Sequence, residues 1–562
     1  MNKHYTLTAI AFVAIATLAF TTCGAQQVEY MTANNVNVGV ATGGNLFSKV
    51  DTAYRVNPTP FVWDLFKSPK SELASPVLTA ALWMSGVDTG GDLHVAAQRY
   101  REKGMEFYDG PTVTNYTAAY DSFYKRVFKV TANEINTHRQ LSFPVSESQV
   151  AEDLLKWPAK GNPYVLQQYG VAITDTLAPF VDADANGIYE PTKGDYPEIC
   201  GDEAVFFVFN DLRGVHNESQ GLPLGFEIRG LEQVFIDNSA GMDYGKRAIN
   251  NTVFVSYQIK NRMALDYHDF YLSMFEDPDL GCFSNDRVGC DSVRNMAFVY
   301  NGTSPDPNCN GITGYSFTNV SFGTISLNHD LSSFCYFTNA LGSNLAQSDP
   351  DTSIEYRNYM TAHWADGIPF TQGGSGYGGI DSVNFIFPGS PLNPAEWSEV
   401  GPSVAAVIPP GDRRFVATTN KVNFAAGETK RYDFAFTNSF DADTNATFLT
   451  IVDTLKRDAD LVQAFYDNYI ANCAYQPVVG VPTLHNNLTV ALVPNPATDE
   501  VQITSDVTIT AVTVYDMQGK AVLTTTGNTN SILLNTKALQ RGLYLVKVEA
   551  GSSSITKKLA LK

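Results

Sequence analysis

The chain has 562 residues, of which 44% are hydrophobic, 12% aromatic and 17% charged. At roughly 100 to 200 residues per domain it holds several domains with sizeable cores, which excludes a single small module, disorder throughout and a long coiled coil. With 38 basic against 58 acidic residues the formal net charge is −20, and no local basic patch offsets it, so nucleic acid is excluded as a partner.

Residues 1–25 read as a signal peptide. Lys3 supplies the basic start, Ile10 to Phe20 form an eleven-residue, largely apolar run, and Cys23-Gly24-Ala25 offers a small-x-small site, with cleavage expected after Ala25. A lipoprotein would acylate Cys23, but Phe20, Thr21 and Thr22 make a poor lipobox. The run is too short to cross a bilayer and no later segment is apolar for long enough, so the mature chain is expected to have no transmembrane span. Cleavage leaves six thiols, Cys200, Cys282, Cys290, Cys309, Cys335 and Cys473. An even number in an oxidising compartment predicts disulfides, and locality favours Cys282 with Cys290 and Cys309 with Cys335; free buried cysteines are the alternative. The lack of any C-x-x-C pair argues against zinc.

Residues 26–140 read as an N-terminal β-rich module, in which 81–84 and 93–96 flank Asp88-Thr89-Gly90-Gly91 as a hairpin with a glycine-rich turn. Residues 141–200 form a connecting segment that carries the best local motif. There Asp182, Asp184 and Asn186 alternate before Gly187, which gives the oxygen ligands and tight turn of a calcium loop, and Ile188 offers its backbone carbonyl. Lys193 stands where an EF-hand places its bidentate acid, so the closing carboxylate is Asp195 or Glu190. Such an all-oxygen set suits structural Ca2+; the alternative is an Asx-rich turn with solvated acids.

Residues 201–473 read as a central β-sandwich region, with alternating apolar runs predicting strands at 205–209, 252–259, 383–387 and 431–436. A second acidic group, Glu276, Asp277, Asp279, Asp286 and Asp291, surrounds Cys282 and Cys290 at irregular spacing. A disulfide between those cysteines would gather the carboxylates, whose repulsion then calls for calcium; the alternative is a set of solvated loop acids. Phe448, Ile451, Leu455, Ala459, Val462, Phe465 and Tyr469 recur at helical spacing after an Asp443/Thr444 cap, which predicts one long helix over 444–469 packed on a sheet. Residues 474–487, with Pro477 and Pro482, read as a linker. Residues 488–562 show seven short strands, at 489–494, 500–504, 509–516, 520–525, 531–534, 543–549 and 554–561, the pattern of a small immunoglobulin-like sandwich.

No catalytic order is legible. H-E-x-x-H is missing, and the eight histidines, His94, His138, His216, His268, His329 and His363 among them, lack metal-ligand spacing. Tyr377 stands where a nucleophile elbow at 373–377 needs glycine, and Gly374, Gly376 and Gly379 satisfy G-x-G-x-x-G with no strand before them and no helix after. Tyr356, Tyr359, Trp364 and Tyr377 offer rings for stacking on sugars, or else belong to the core.

The tail carries Leu492-Val493-Pro494-Asn495-Pro496-Ala497-Thr498-Asp499, then 512–520 with Asp516-Met517-Gln518-Gly519-Lys520, then Gly542-Leu543-Tyr544-Leu545-Val546-Lys547-Val548, and finally Lys557-Lys558. In this order the runs resemble the C-terminal sorting domain of type IX secretion substrates. The resemblance implies periplasmic passage, recognition of the folded tail by an outer-membrane translocon, often tail removal and attachment to surface polysaccharide, and so a secreted or outer-surface location. Residues 30–473 are similar to a group of large secreted Bacteroidota proteins with such tails. That likeness rests on Ala81-Leu82-Trp83 with Gly90-Gly91-Asp92-Leu93, on 182–189, on 277–281 with 288–291, and on Asp412-Arg413-Arg414-Phe415; it implies location and no chemistry. The expectation is a mainly β, multi-domain β-sandwich protein, exported, with a binding, adhesive or structural role. The alternative is a secreted hydrolase acting on polysaccharide or peptide.

Overall fold

The computed structural model describes residues 28–48, 65–70, 72–100, 104–237, 248–339, 345–401, 408–441, 447–472, 490–516, 520–550 and 553–562. The signal peptide, Cys473, the linker and the cap at Asp443/Thr444 lie outside the described residues. Two compact units are present, Met1–Pro477 and Val478–Lys562.

In chain order the principal strands of the first unit are β1 (Thr79–Asp88), β2 (Leu93–Ala97), β3 (Glu203–Asn210), β4 (Phe226–Val234), β5 (Thr252–Asn261) and β6 (Tyr267–Asp277). There follow β7 (Asp286–Asp291), β8 (Met296–Asn301), β9 (Asn319–Ser326), β10 (Leu331–Phe337), β11 (Arg414–Thr419), β12 (Thr429–Asp441) and helix α1 (Ile451–Phe465). A nine-stranded sheet runs β7-β8-β9-β12-β5-β4-β3, with the short strands Tyr108–Asp109 and Phe128–Thr131 on the β3 edge. A seven-stranded sheet runs β10-β11-β6-β1 and ends on Asn45–Leu46, with β2 beside β1 and Val422–Phe424 beside β6.

The two sheets share one core. Val253, Val255 and Tyr257 of β5 and Phe434 and Phe436 of β12 lie in the same buried cluster as Trp83, Met274 and Val416. Phe226 of the larger sheet meets Phe270 of the smaller at 5.5 Å between ring centroids. The larger sheet is covered on its other face as well. Its alternate residues Phe254, Met296, Phe298, Ile325 and Ala435 pack against Val452, Leu455, Ala459 and Val462 of α1. Ala204, Phe206 and Val208 meet a layer of short helices between residues 118 and 169. Cover on both faces accounts for Val205 to Phe209, which is apolar at every position and not only at alternate ones.

The predicted hairpin forms, with Trp83 opposite Ala97 and Val87 opposite Leu93. Asp88 Oδ1 accepts from the amides of Gly90 (2.8 Å) and Asp92 (3.0 Å), and Gly91 takes the left-handed conformation that the turn requires (φ 91°). The predicted strands at 205–209, 252–259 and 431–436 lie within β3, β5 and β12. Residues 383–387 form no strand: they make an isolated bridge at Phe385, and Phe387 turns left-handed (φ 53°) just before Pro388-Gly389. The long helix is present as α1 and continues as a π-helical turn, Tyr466–Ile470, but it starts at Ile451 after Thr450 and not at 444, residues 448–450 forming a turn.

The cysteines pair differently from the expectation. Cys282 is bonded to Cys309, with 5.5 Å between Cα atoms, while Cys290 and Cys335 are free and buried; Cys200 is also disulfide-bonded. Closeness in sequence misleads here because β7 is extended, and at about 3.3 Å per residue it carries Cys290 away from Cys282. In β7 Cys290 sits opposite Ala297, and in β10 Cys335 sits opposite Val416.

The second unit has five strands, β13 (Val490–Val493), β14 (Glu500–Tyr515), β15 (Ala521–Asn535), β16 (Gly542–Ala550) and β17 (Ser553–Leu561). The seven predicted segments become five because 500–504 joins 509–516, and 520–525 joins 531–534. Register shifts near Ile509 bend β14, so its first part pairs with β13 and its last with β16. A parallel bridge from Ala497 to Leu561 nearly closes the sheet around Val501, Ile503, Val512, Val546 and Leu559.

Candidate functional site

Three places in the first unit gather polar chemistry. The first is the loop closed by the short pair Phe180–Val181 and Tyr196–Pro197. Oxygens of Asp182, Asp184 and Asp195 lie within 4.8 Å of one another. Asp182 accepts from the amides of Asn186 (3.2 Å) and Gly187 (2.6 Å), and Asn186 Oδ1 accepts from the amide of Ile188 (2.7 Å). Asp195, fully buried, accepts from the amides of Ala183 (2.8 Å) and Glu190 (2.7 Å). Of the two closing carboxylates the geometry brings Asp195 to the cluster. Glu190 instead binds Asn186 Nδ2 and Lys193 Nζ, each at 2.8 Å. The Gly187 amide holds the Asp182 carboxyl below its ordinary range, whereas burial, reinforced by the neighbouring Asp182 and Asp184, pushes that of Asp195 up.

The second place lies at the end of β6. Oxygens of Asp277, Asp279 and Asp412 approach within 4.8 Å. Tyr100 donates its hydroxyl hydrogen to Asp277 and accepts from Arg414 Nε (2.6 Å). Arg414 also reaches Asp277 Oδ2 at 3.5 Å and Asp412 Oδ1 at 3.3 Å. Asp286 accepts from the Leu280 amide (3.0 Å), and its charge, like those of Asp277 and Asp412, bears on Asp279. Burial pushes the carboxyls of Asp277, Asp279 and Asp286 up. Asp291 is held elsewhere, by Arg294 (2.9 Å) and Lys456 (3.5 Å). Glu276 alternates to the other face of β6, where Thr324 donates to it. Sequence reading missed Asp412. Its only signal was its place in the run Asp412-Arg413-Arg414-Phe415, far along the chain from Asp277.

The third place is a cavity of about 260 Å3 on the outer face of β3, β4 and β5, beside the end of the helical segment. Phe206, Leu231 and Ile470 give it apolar walls; Arg229, Gln233 and Arg431 give it polar ones. Arg229 donates to Glu227 (2.9 and 2.7 Å). Arg431 donates to Asp433 (2.9 Å) and to the Ala471 carbonyl (3.1 Å), and Gln233 Oε1 accepts from the amides of Cys200 and Gly201. These bonds fix the side chains in place. Arg229, Leu231 and Gln233 share one face of β4 by strand alternation, but the sequence does not say which face is covered or where the cover leaves a gap.

The other sequence candidates are structural. Tyr356, Tyr359 and Trp364 are fully buried, and Tyr377 donates to Asp366 (2.7 Å). His94 contacts the Pro223 carbonyl, and His216 those of Val95 and Asp211.

Residues 491–562 match the family described as "Secretion system C-terminal sorting domain". No curated protein matches the chain. Among solved structures it is similar to a polysaccharide lyase, at 9% identity and TM-score 0.18, over 71% of this chain and 41% of that one. It is also similar to a putative kojibiose phosphorylase from human microbiome, at 9% identity and TM-score 0.24, over 51% of this chain and 24% of that one. The chain thus spans less than half the length of either, and likeness at this level carries no argument about activity. Among the described residues no helix is long and apolar enough to cross a membrane. The tail is a sorting domain, and the chain that carries it is a type IX secretion substrate, a secreted or outer-surface protein.

Proposed function

We propose that the exported chain is a binding protein of the cell exterior, and that the cavity beside Arg229, Gln233 and Arg431 takes one polyhydroxylated ring of a glycan. The cavity itself carries this reading. Its volume of about 260 Å3 suits a single ring, and its apolar walls stand among guanidinium and carboxamide groups. A sugar ring has the matching division, with C–H faces and a rim of hydroxyls that both donate and accept. Small-ligand sites commonly combine apolar lining with a few convergent polar groups in this way. Saturation-transfer NMR of the exported protein against a saccharide panel tests the reading. Signals are expected from at least one saccharide, and they should vanish in Ser256→Phe, which fills the cavity from β5. Release of new reducing or unsaturated ends would replace binding with polysaccharide cleavage.

The same reading takes residues 1–25 as a signal peptide cleaved after Ala25, with tail removal and attachment to surface polysaccharide after export. Calcium in the 182–195 loop, held by Asp182, Asp184, Asn186, the Ile188 carbonyl and Asp195, would make the loop rigid. Convergence of three carboxylates supports it. An ion bound only to the native state adds stability by mass action, so chelation should lower Tm in the natural chain, and by less in Asp182→Asn/Asp184→Asn. An equal response in both chains would refute the site.

A further inference from the structure

Strand register explains why acids meet at the end of β6. β6 pairs with β11 from Ser273↔Thr418 to Glu276↔Phe415. Carried further, the same register sets Asp277 opposite Arg414 and Asp279 opposite Asp412, all on one face of the ladder. Like charges directly opposite each other destabilise a ladder, and the pairing ends at Glu276↔Phe415, before the register would reach the Asp279 and Asp412 pair.

Local compensation falls short. Asp286 adds a fourth carboxylate; Arg414 bears on Asp277, Asp279 and Asp412, and Arg413 acts on Asp286. Arg413 is turned to Glu399 (2.7 Å), and Asp349 is held by Arg99 (2.7 Å). Asn339 donates to Asp412 (2.8 Å) without adding charge. A second observation is independent of this charge count. Asp277 and Asp286 are each 1% exposed, yet Oδ1 of each accepts no hydrogen bond among the described residues. Their other oxygens are engaged, by Tyr100 with Arg414 and by the Leu280 amide. A buried carboxylate oxygen left in this state is costly and calls for a partner the polypeptide does not supply.

We infer that Asp277, Asp279 and Asp412 hold a divalent cation of calcium type, with Asp286 facing it, and that the ion continues the junction of β6 and β11 where hydrogen bonding ends. The donor set is hard oxygen throughout, which selects calcium over thiophilic or imidazole-bound metals. Asp279 and Asp412 are partly exposed, which leaves water access to complete the shell. The ion would act as a staple across the smaller sheet, separate from the 182–195 loop and independent of it.

Equilibrium dialysis of the exported protein with calcium alone tests the inference, in a chain carrying Asp182→Asn/Asp184→Asn so that the loop cannot contribute. That chain should still bind one equivalent and gain Tm on calcium addition. Adding Asp279→Asn and Asp412→Asn should abolish both. In chelator, the single variant Asp412→Asn should melt no lower than its parent, because it removes repulsion without removing a needed ion. Retention of the calcium-dependent Tm gain after both asparagine changes would overturn the inference. So would a parent chain that binds no calcium, or an Asp412→Asn chain that melts lower than its parent in chelator.

Discussion

Glu232 shows what a single buried group does to the pH dependence of this fold. It lies on β4 at 1% exposure among the residues between the sheets, and burial pushes its carboxyl up from about 4.5 to about 8. The proton is thus held in the folded state and released in the unfolded one over that interval. Its stabilising effect is complete below about 4.5 and is lost as pH rises towards 8. Glu232→Gln should therefore raise stability at pH 8 by roughly 4 kcal/mol, with the gain shrinking as pH falls towards 4.5, as measured by urea unfolding across that range. A gain that does not vary with pH would show that titration of Glu232 is not its source. At this scale legibility depends on whether the partners are local. Asp182, Asp184 and Asn186 declare themselves because the loop is made within a few residues. Asp412 does not, because only the register of β6 and β11 brings it to Asp279. Glu232 gives no such sign, since in a strand that carries Glu227, Arg229 and Gln233 as well the sequence does not say which polar residue faces the core.

Among the elements, α1 is the most legible because helical periodicity is a local property: Ile451, Leu455, Ala459 and Val462 of the predicted face pack, whereas Phe448 precedes the helix and Tyr469 is exposed. Leu455 is fully buried there, and Gly323 of β9 makes room for it. A Cβ on Gly323 would stand 3.2 Å from Leu455 Cδ2 and 3.1 Å from Met296 Sδ. Leu455→Ala should cost about 2–5 kcal/mol, the range for a large-to-small change in a packed core. Gly323→Ala should destabilise the natural chain, and by less in the Leu455→Ala chain, where the crowding methyl groups are gone. A double-mutant cycle in urea measures this coupling, and strict additivity would mean that the two positions do not press on each other. The strands were legible as runs but not as bounded elements. Residues 505–508 fall between two predicted strands, yet the tail absorbs them as a shift of register within β14. Residues 383–387 look like a strand, yet Phe387 leaves the extended conformation before a ladder can form.

For the whole molecule, chain order conceals sheet order. β1 lies beside β6, and β9 beside β12, so each sheet draws on distant segments that no local pattern connects. The tail is the exception. Among the described residues its five strands pair with one another in a sheet of their own, with its own core around Val501, Ile503, Val512 and Val546. A unit with its own core and sheet should fold without the rest, and so should the unit it leaves behind. A chain ending at Pro477 should therefore melt cooperatively near the temperature of the same unit in the full protein, by calorimetry. In a host with the type IX machinery, however, it should stay in the periplasm, because residues 491–562, the sorting domain, are gone. Residues 478–562 fused to an unrelated periplasmic reporter should carry that reporter to the exterior, as read by protease accessibility on intact cells. A reporter that stays behind while a fusion with a proven tail is exported would mean that recognition needs surface from the first unit. Loss of cooperative melting in the shortened chain would mean that the first unit depends on the tail for its fold. The two results are separable, since melting reports on folding and protease accessibility on delivery.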